Sequence, residues 1–361
     1  MTQPLFEVKE VDRRFYAERL RGFLPPRMID IHTHVWRERF RAPTGPDRVR
    51  AVTWPARVAL DNSIEDLLTT YRLLFPEQRV SPLLFGNVMS RRDDVDGANA
   101  YVSESSRKHG LPALVFALPS WSGAELARQV VADGFIGAKV YLTLAPARLP
   151  EPEIQIYDFL PKRQLAALDR LGGIVMLHLP RPGRLRDPLN LRQVLEIEER
   201  YANLKVILAH VGRAYCPEDV GNAWDVLSAT RRTCFDISAN TNSDVFRQLL
   251  DAVGPQRVLF GSDLPITRMR MRRICEQGNY VNIVPRGLYG DVSGDAHMRE
   301  ADGPDAERLS FFLYEELDAF RRAAEAVGLT RNDVEDMFCR NAERLIREAS
   351  AGRSGTGEET V

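Results

Sequence analysis

The 361-residue sequence contains no run of 18 or more apolar residues, so no segment is long enough to cross a bilayer as a helix. Its four cysteines, Cys216, Cys234, Cys275 and Cys339, form no C-x-x-C pair. Their spacing fits neither a zinc ribbon nor a small disulfide scaffold, and it reads as reduced thiols in a cytoplasmic protein. Net charge is also lacking: 49 Lys and Arg against 50 Asp and Glu leave −1. That balance offers no global attraction to nucleic acid or to an anionic membrane, so any preference for anions must be local. There is no G-x-G-x-x-G turn, which argues against a doubly wound dinucleotide-binding sheet. The segment Met1–Arg14 is charged and has no signal-peptide apolar core.

What is present is a 44% hydrophobic chain, enough for a large core. Short apolar runs recur at Met28–His32, Pro82–Val88, Ala113–Leu118, Phe135–Leu142, Ile174–Leu179, Lys205–His210, Thr233–Ser238 and Arg257–Ser262. They are rich in Val, Ile, Leu and Phe on both faces, as buried parallel strands are. Amphipathic segments lie between them: Ser63–Phe75, Val95–His109, Gly123–Asp133, Pro161–Leu171, Leu189–Tyr201, Pro217–Ala229 and Ser243–Val253. Eight strands alternating with helices predict an α/β fold of the (β/α)8 TIM-barrel type over residues 26–349. A lead-in helix over Phe6–Arg21 precedes it, within residues 1–25, and stops at Pro25 and Pro26. After the eighth strand, residues 265–304 are polar, arginine-rich and without clear period, too long for a routine connection, and so read as either a lid or a partly disordered segment. A helix over Glu307–Val327 follows. Thr330 and Asp333 then form a capping box. Residues 350–361 read as a mobile tail.

The chemistry gathers at strand ends. Within Asp30-Ile31-His32-Thr33-His34, alternation along a strand sends both imidazoles to one side. His178 ends the fifth run, His210 the sixth and Asp263 the eighth. Four of the six histidines thus sit at carboxyl ends of strands, where barrels build active sites. A group of imidazoles beside a carboxylate invites a metal ion.

In these motifs the chain resembles the amidohydrolase superfamily, and within it the amidohydrolase 2 branch typified by aminocarboxymuconate-semialdehyde decarboxylase. The resemblance rests on Ile29–His34, on Leu208-Ala209-His210-Val211-Gly212, on Phe260-Gly261-Ser262-Asp263-Leu264-Pro265 and on Arg340–Leu345. It implies that His32, His34, His178 and Asp263 hold one divalent ion, zinc above all, with manganese or a second metal as alternatives. It further implies that His210 stays beside a metal-bound water and moves its proton. His210 and Asp263 are then the catalytic pair. Lys139 keeps a second arrangement open, because a carbamylated lysine on the fourth strand bridges two metals in the superfamily's binuclear hydrolases and lactonases.

Lys139 and Tyr141 alternate on the fourth strand and share the barrel interior. Arg181 and Arg213 each follow a metal-site histidine by three residues, and Arg268 follows Asp263 by five. Guanidinium forks suit a carboxylate, so these five residues are the candidate substrate contacts. The expected function is hydrolysis of a C–N or C–O bond, or decarboxylation, of a small anionic molecule. A catalytically silent binding barrel is the non-enzymatic alternative. A homo-oligomer is compatible with either; nucleic acid and membrane partners are not expected.

Overall fold

The computed structural model describes residues 5–43, 57–87 and 90–354. Eight parallel strands form its centre: β1 (Arg27–His34), β2 (Arg79–Phe85), β3 (Val115–Phe116), β4 (Gly137–Lys139), β5 (Ile174–Leu177), β6 (Lys205–Leu208), β7 (Cys234–Asp236) and β8 (Val258–Leu259). β3 to β8 pair in chain order and β1 pairs with β2. Two further seams complete the ring. Leu84 bridges Ala113, and the amides of Ile31, Asp263 and His34 donate to Phe260 O, His32 O and Leu264 O at 3.0, 2.8 and 2.9 Å.

Alternation along the strands separates two apolar layers. Ile174 and Met176 of β5, Ile207 of β6 and Leu259 of β8 fill the barrel interior, while Val175, Leu177, Leu208 and Phe260 pack outward under the helices. Ala342, Leu345 and Ala349 of the helix Asn341–Ser354 plug the amino-terminal mouth. The chemistry is thereby left to the opposite mouth, as in barrel enzymes generally.

Most helices fall where periodicity places them, with Val95–His109 and Ser243–Val253 matching to the residue. The Ser63 and Thr330 capping boxes are formed. Three expectations need correction. The Pro217–Ala229 segment is not one helix: a 3-10 turn at Pro217–Asp219 and a short helix at Ala223–Leu227 are parted by Gly221, whose φ of +53° breaks the helical path. The final helix runs on to Ser354, past the expected start of the tail; residues 355–361 lie outside the described residues.

The third correction concerns residues 265–304, which are ordered as a three-stranded sheet of β9 (Arg272–Glu276), β10 (Asn279–Pro285) and β11 (Met298–Ala301). The segment packs through Met269, Met271, Val284, Val292 and Met298 onto Ala239 and Phe312. Cys275 on β9 is joined to Cys216 by a disulfide, with Cα atoms 5.8 Å apart. Two of the four cysteines are therefore not free thiols, and for them the cysteine argument for a cytoplasmic location does not hold. The lead-in helix, Glu10–Phe15 continuing to Leu20, is also held by this region. Asp12 is fully buried, accepts two bonds from Arg270 at 2.8 and 2.7 Å and a third from Ser310 Oγ. Breaking such a pair strands the remaining charge, typically at about 3–5 kcal/mol. No described helix is long and apolar enough to cross a membrane.

Candidate metal centre

Two departures from regular strand geometry aim the histidines. In β1 the register against β2 shifts between Asp30 and Thr33, so one extra residue sits in the strand. Ile29 and Ile31 pack in the interior below this bulge, and past it His32 and His34 take over the inward direction. In β6 the inward positions are Ile207 and Ala209, so plain alternation would send His210 outward. Instead His210, Val211, Gly212 and Arg213 all adopt left-handed φ, from +51° to +65°, and this turn swings the His210 ring back over the mouth. Such conformations cost energy in residues with a side chain and cluster at functional sites. Asp263 also has positive φ (+56°) at the end of β8, a conformation Asp tolerates better than most residues. Gly261 is required two residues earlier: a Cβ there would sit 2.8 Å from His32 Cβ, and β8 could not approach β1.

The result is a buried cluster. His34 Nε2 lies 3.2 Å and His32 Nε2 3.5 Å from Asp263 Oδ1, and His178 Nε2 lies 2.9 Å from His210 Nε2. The donor atoms form two overlapping groups sharing His32, one with His34 and Asp263, the other with His178 and His210; each group lies within 4.8 Å. Lys139 Nζ lies against the second group, 3.2 Å from His32 Nε2 and 3.4 Å from His178 Nδ1. Tyr141 stacks edge-on against His178.

The outer nitrogens decide which lone pairs are available. His32 Nδ1 faces Asp236 Oδ2 at 2.9 Å, His34 Nδ1 faces Gly86 O at 3.0 Å and His210 Nδ1 faces Ser238 O at 3.0 Å. Each acceptor fixes the proton on Nδ1 and leaves Nε2 bare towards the centre. Burial, reinforced by the charge of Lys139, pushes His32 down to about 3, so the ring is neutral. Burial also lowers His178 and His210. Burial opposes ionisation of Asp263, yet its contact with His34 and the neighbouring His210 and His32 rings hold it well below the usual carboxylate range. Lys139 is pushed down to about 7 by burial, against the pull of Asp263 and Asp236. Neutral imidazoles presenting lone pairs beside an ionised carboxylate suit a divalent cation, and the residues present fit one.

Asp236 is the residue that the sequence reading missed. It is fully buried on β7, and besides His32 Nδ1 its carboxylate accepts from the amides of His210 and Ser238. One side chain thus orients the first-strand imidazole and the turn that carries His210. Its signal was present: an acidic residue inside the apolar run Thr233–Ser238 has to be satisfied by something specific. Asp236→Asn is expected to weaken metal binding by about 10–100-fold, because an amide cannot hold the His32 tautomer as a carboxylate does. A competitive chelator titration checks this, and wild-type affinity would reduce Asp236 to packing.

The arginines divide. Arg213 Nη1 donates to Leu179 O and Pro180 O beside His178, and Arg213 makes no ion pair among the described residues. Arg181 is committed to Asp187 at 3.0 Å. Arg268 points to Val58 O and the Phe6 ring rather than to the histidines. Arg273 of β9 is closer to the mouth than its number suggests. It lies over the rings of Tyr215 and Tyr280, and Tyr215 in turn approaches His210, with ring centroids 6.4 Å apart.

A model of the amidohydrolase family matches residues 29–347. Among solved structures, the chain is similar to a dihydroxybenzoic acid decarboxylase from a Polaromonas species with bound manganese and the inhibitor 2-nitroresorcinol. Identity is 16%, covering 90% of this chain and 97% of that one, with a TM-score of 0.52. It is similar also to a probable 2-pyrone-4,6-dicarboxylic acid hydrolase from Acinetobacter baumannii with citric acid bound, at 15% identity over 89% and 99% of the two chains and a TM-score of 0.54. An amidohydrolase from Burkholderia multivorans with bound zinc gives 16% identity over 89% and 99%, with a TM-score of 0.54. At these identities the likeness is one of fold. No curated protein matches the chain.

Proposed function

Because the chain belongs to the amidohydrolase family, we propose that it is a metal-dependent enzyme that hydrolyses a C–N or C–O bond, or decarboxylates, a small carboxylate-bearing substrate. The observation that carries this reading is the clustering of four imidazoles with Asp263, in which His32, His34 and His210 are each held by a partner behind Nδ1 so that Nε2 is bare towards the centre. His32, His34, His178 and Asp263 would hold one ion, with zinc or manganese as the candidates. When bound, the ion would supply Lewis acidity and make water a stronger acid.

The remaining work belongs to the chain's own residues. His210 Nε2 takes a proton during hydrolysis, or delivers one to carbon as carbon dioxide leaves, while Nδ1 stays donated to Ser238 O. Arg213 and Arg273 orient a substrate carboxylate, and the Tyr141 and Tyr215 rings narrow the mouth and exclude water. A second reading is favoured by the position of Lys139 beside His32, the imidazole shared by the two donor groups, and beside His178: carbamylation of its amine would make the centre binuclear.

The experiment is a screen of carboxylic acids, lactones and amides with metal-loaded protein, repeated after chelation. Turnover should disappear with the metal and return with it. On the best substrate, Arg213→Met should raise KM by about tenfold or more, since a charge-assisted bond is worth about 1.5–3 kcal/mol. A neutral best substrate, or unchanged kinetics in the variant, would end the carboxylate part of the reading. Turnover that survives chelation would end the metal part.

A further inference from the structure

The mouth opposite the metal centre holds a second concavity, a cavity of about 600 Å³ between the starts of β5 to β8 and the helix Asn341–Ser354. That is within the usual size of small-molecule sites, about 300–1,000 Å³. Six cationic side chains line it: Arg170, Lys205, Arg231, Arg232, Arg257 and Arg344. In a chain of net charge −1 this is a strong local excess.

The excess is not neutralised from within. Glu348 lines the cavity. Glu198 accepts from the amides of Arg231, Arg232 and Thr233 and stands 3.9 Å from Arg232, and Asp169 accepts from the amides of Asn203 and Leu204. Three carboxylates therefore face six cations, and two of the three are already engaged by backbone. The cations themselves lean on neutral acceptors. Lys205 Nζ donates to Gly172 O, Arg257 Nη1 to Thr230 Oγ1 and Arg344 Nη2 to Gln256 O. Arg170 and Arg231 have no side-chain hydrogen bond or ion pair among the described residues, and their guanidinium groups are free to bind. Burial lowers both Lys205 and Arg257, the mark of partly desolvated cations short of counter-charge.

From the cavity, its six cations and their neutral partners, we infer that the amino-terminal mouth binds a small polyanion with a di- or triphosphate group. Guanidinium forks converging from several chain segments match tetrahedral oxyanions bidentately, and a chain of phosphates can meet several at once. The lining has no aromatic ring, so recognition falls on the phosphates rather than on a stacked base. Each strand that opens onto the cavity leads, at its other end, to a residue of the candidate centre: β5 to His178, β6 to His210, β7 to its last residue Asp236 and β8 to Asp263. A ligand here clamps the starts of the strands that carry the site. The inference does not depend on the reaction proposed above.

Titration calorimetry with pyrophosphate and tripolyphosphate, at fixed ionic strength near 0.15 M, tests it. One saturable site per chain is expected, with a rise in unfolding midpoint as ligand increases. The double variant Arg170→Gln/Arg231→Gln should raise Kd by about tenfold or more. Because neither side chain supports the fold, its unfolding midpoint without ligand should match the wild type, and Arg231→Lys should keep part of the affinity. Absence of saturable binding would identify the cavity as solvated basic surface. Wild-type affinity in a folded double variant would place the anion elsewhere, at the metal centre above all. Either result overturns the inference.

Discussion

Replacing His210 by asparagine is expected to leave metal content near the wild-type level and to lower kcat by about 10²-fold or more, the usual weight of a general acid or base. The asparagine amide can still donate towards Ser238, so the turn after β6 should hold. What it cannot do is exchange a proton at the position of Nε2. His210 is suited to that exchange because its ring is locked through Nδ1 and burial keeps it deprotonated until a proton is offered. The geometry also places His210 Nε2 only 2.9 Å from His178 Nε2, within reach of a shared cation. Elemental analysis separates the roles. If His210→Asn empties the centre, His210 is a ligand, and the overlapping group of His32, His178 and His210 holds an ion of its own.

The barrel was legible because its strands are buried on both faces. Runs such as Ile174–Leu179 and Lys205–His210 have no reason to be apolar throughout unless helices cover one side and a core fills the other. The inserted sheet was not legible for the opposite reason. β9 is Arg-Arg-Ile-Cys-Glu and largely exposed, and the sheet touches the body through a few scattered residues, chiefly methionines and valines. No period of two emerges from such a strand. The Cys216–Cys275 bond spans 59 residues and joins the segment after β6 to β9, which only the fold brings together, so local spacing carried no trace of it.

The centre was legible by residue type and place, less so by direction. Alternation correctly put His32 and His34 on one side, yet it is the bulge in β1 that turns this side inward. For His210 alternation alone gives the wrong face, and four left-handed residues correct it. Arg268 was placed by proximity in sequence to Asp263, but the 3-10 turn Ile266–Arg268 carries it towards Val58 and Phe6. Arg273, five residues further on, returns to the mouth because β9 folds back across it. Sequence distance from a ligand is a poor guide once a loop has structure of its own.

Asp263→Ala is expected to reduce bound metal from about one ion per chain to near zero after dialysis, and to abolish turnover with it. Among the residues proposed to hold the ion, Asp263 supplies the only negative charge; without it, neutral imidazoles must hold a doubly charged cation alone. Supporting residues around metal sites already cost about 10–100-fold in affinity when removed, and a direct ligand should cost more. Alanine also loses the tolerance of aspartate for the positive φ at this position, so Asp263→Asn is the necessary companion. It keeps the shape and the backbone preference and removes the charge. Both variants should show a lower unfolding midpoint than the wild type in the presence of metal and little difference after chelation, since stabilisation by a ligand scales with its affinity for the folded state. A deficit that persists in chelated Asp263→Asn would mean that the carboxylate is structural, holding His34 through their 3.2 Å contact rather than an ion. Retention of one ion in Asp263→Ala, with two in the wild type, would instead place the second ion in the group of His32, His178 and His210 beside Lys139, the binuclear arrangement.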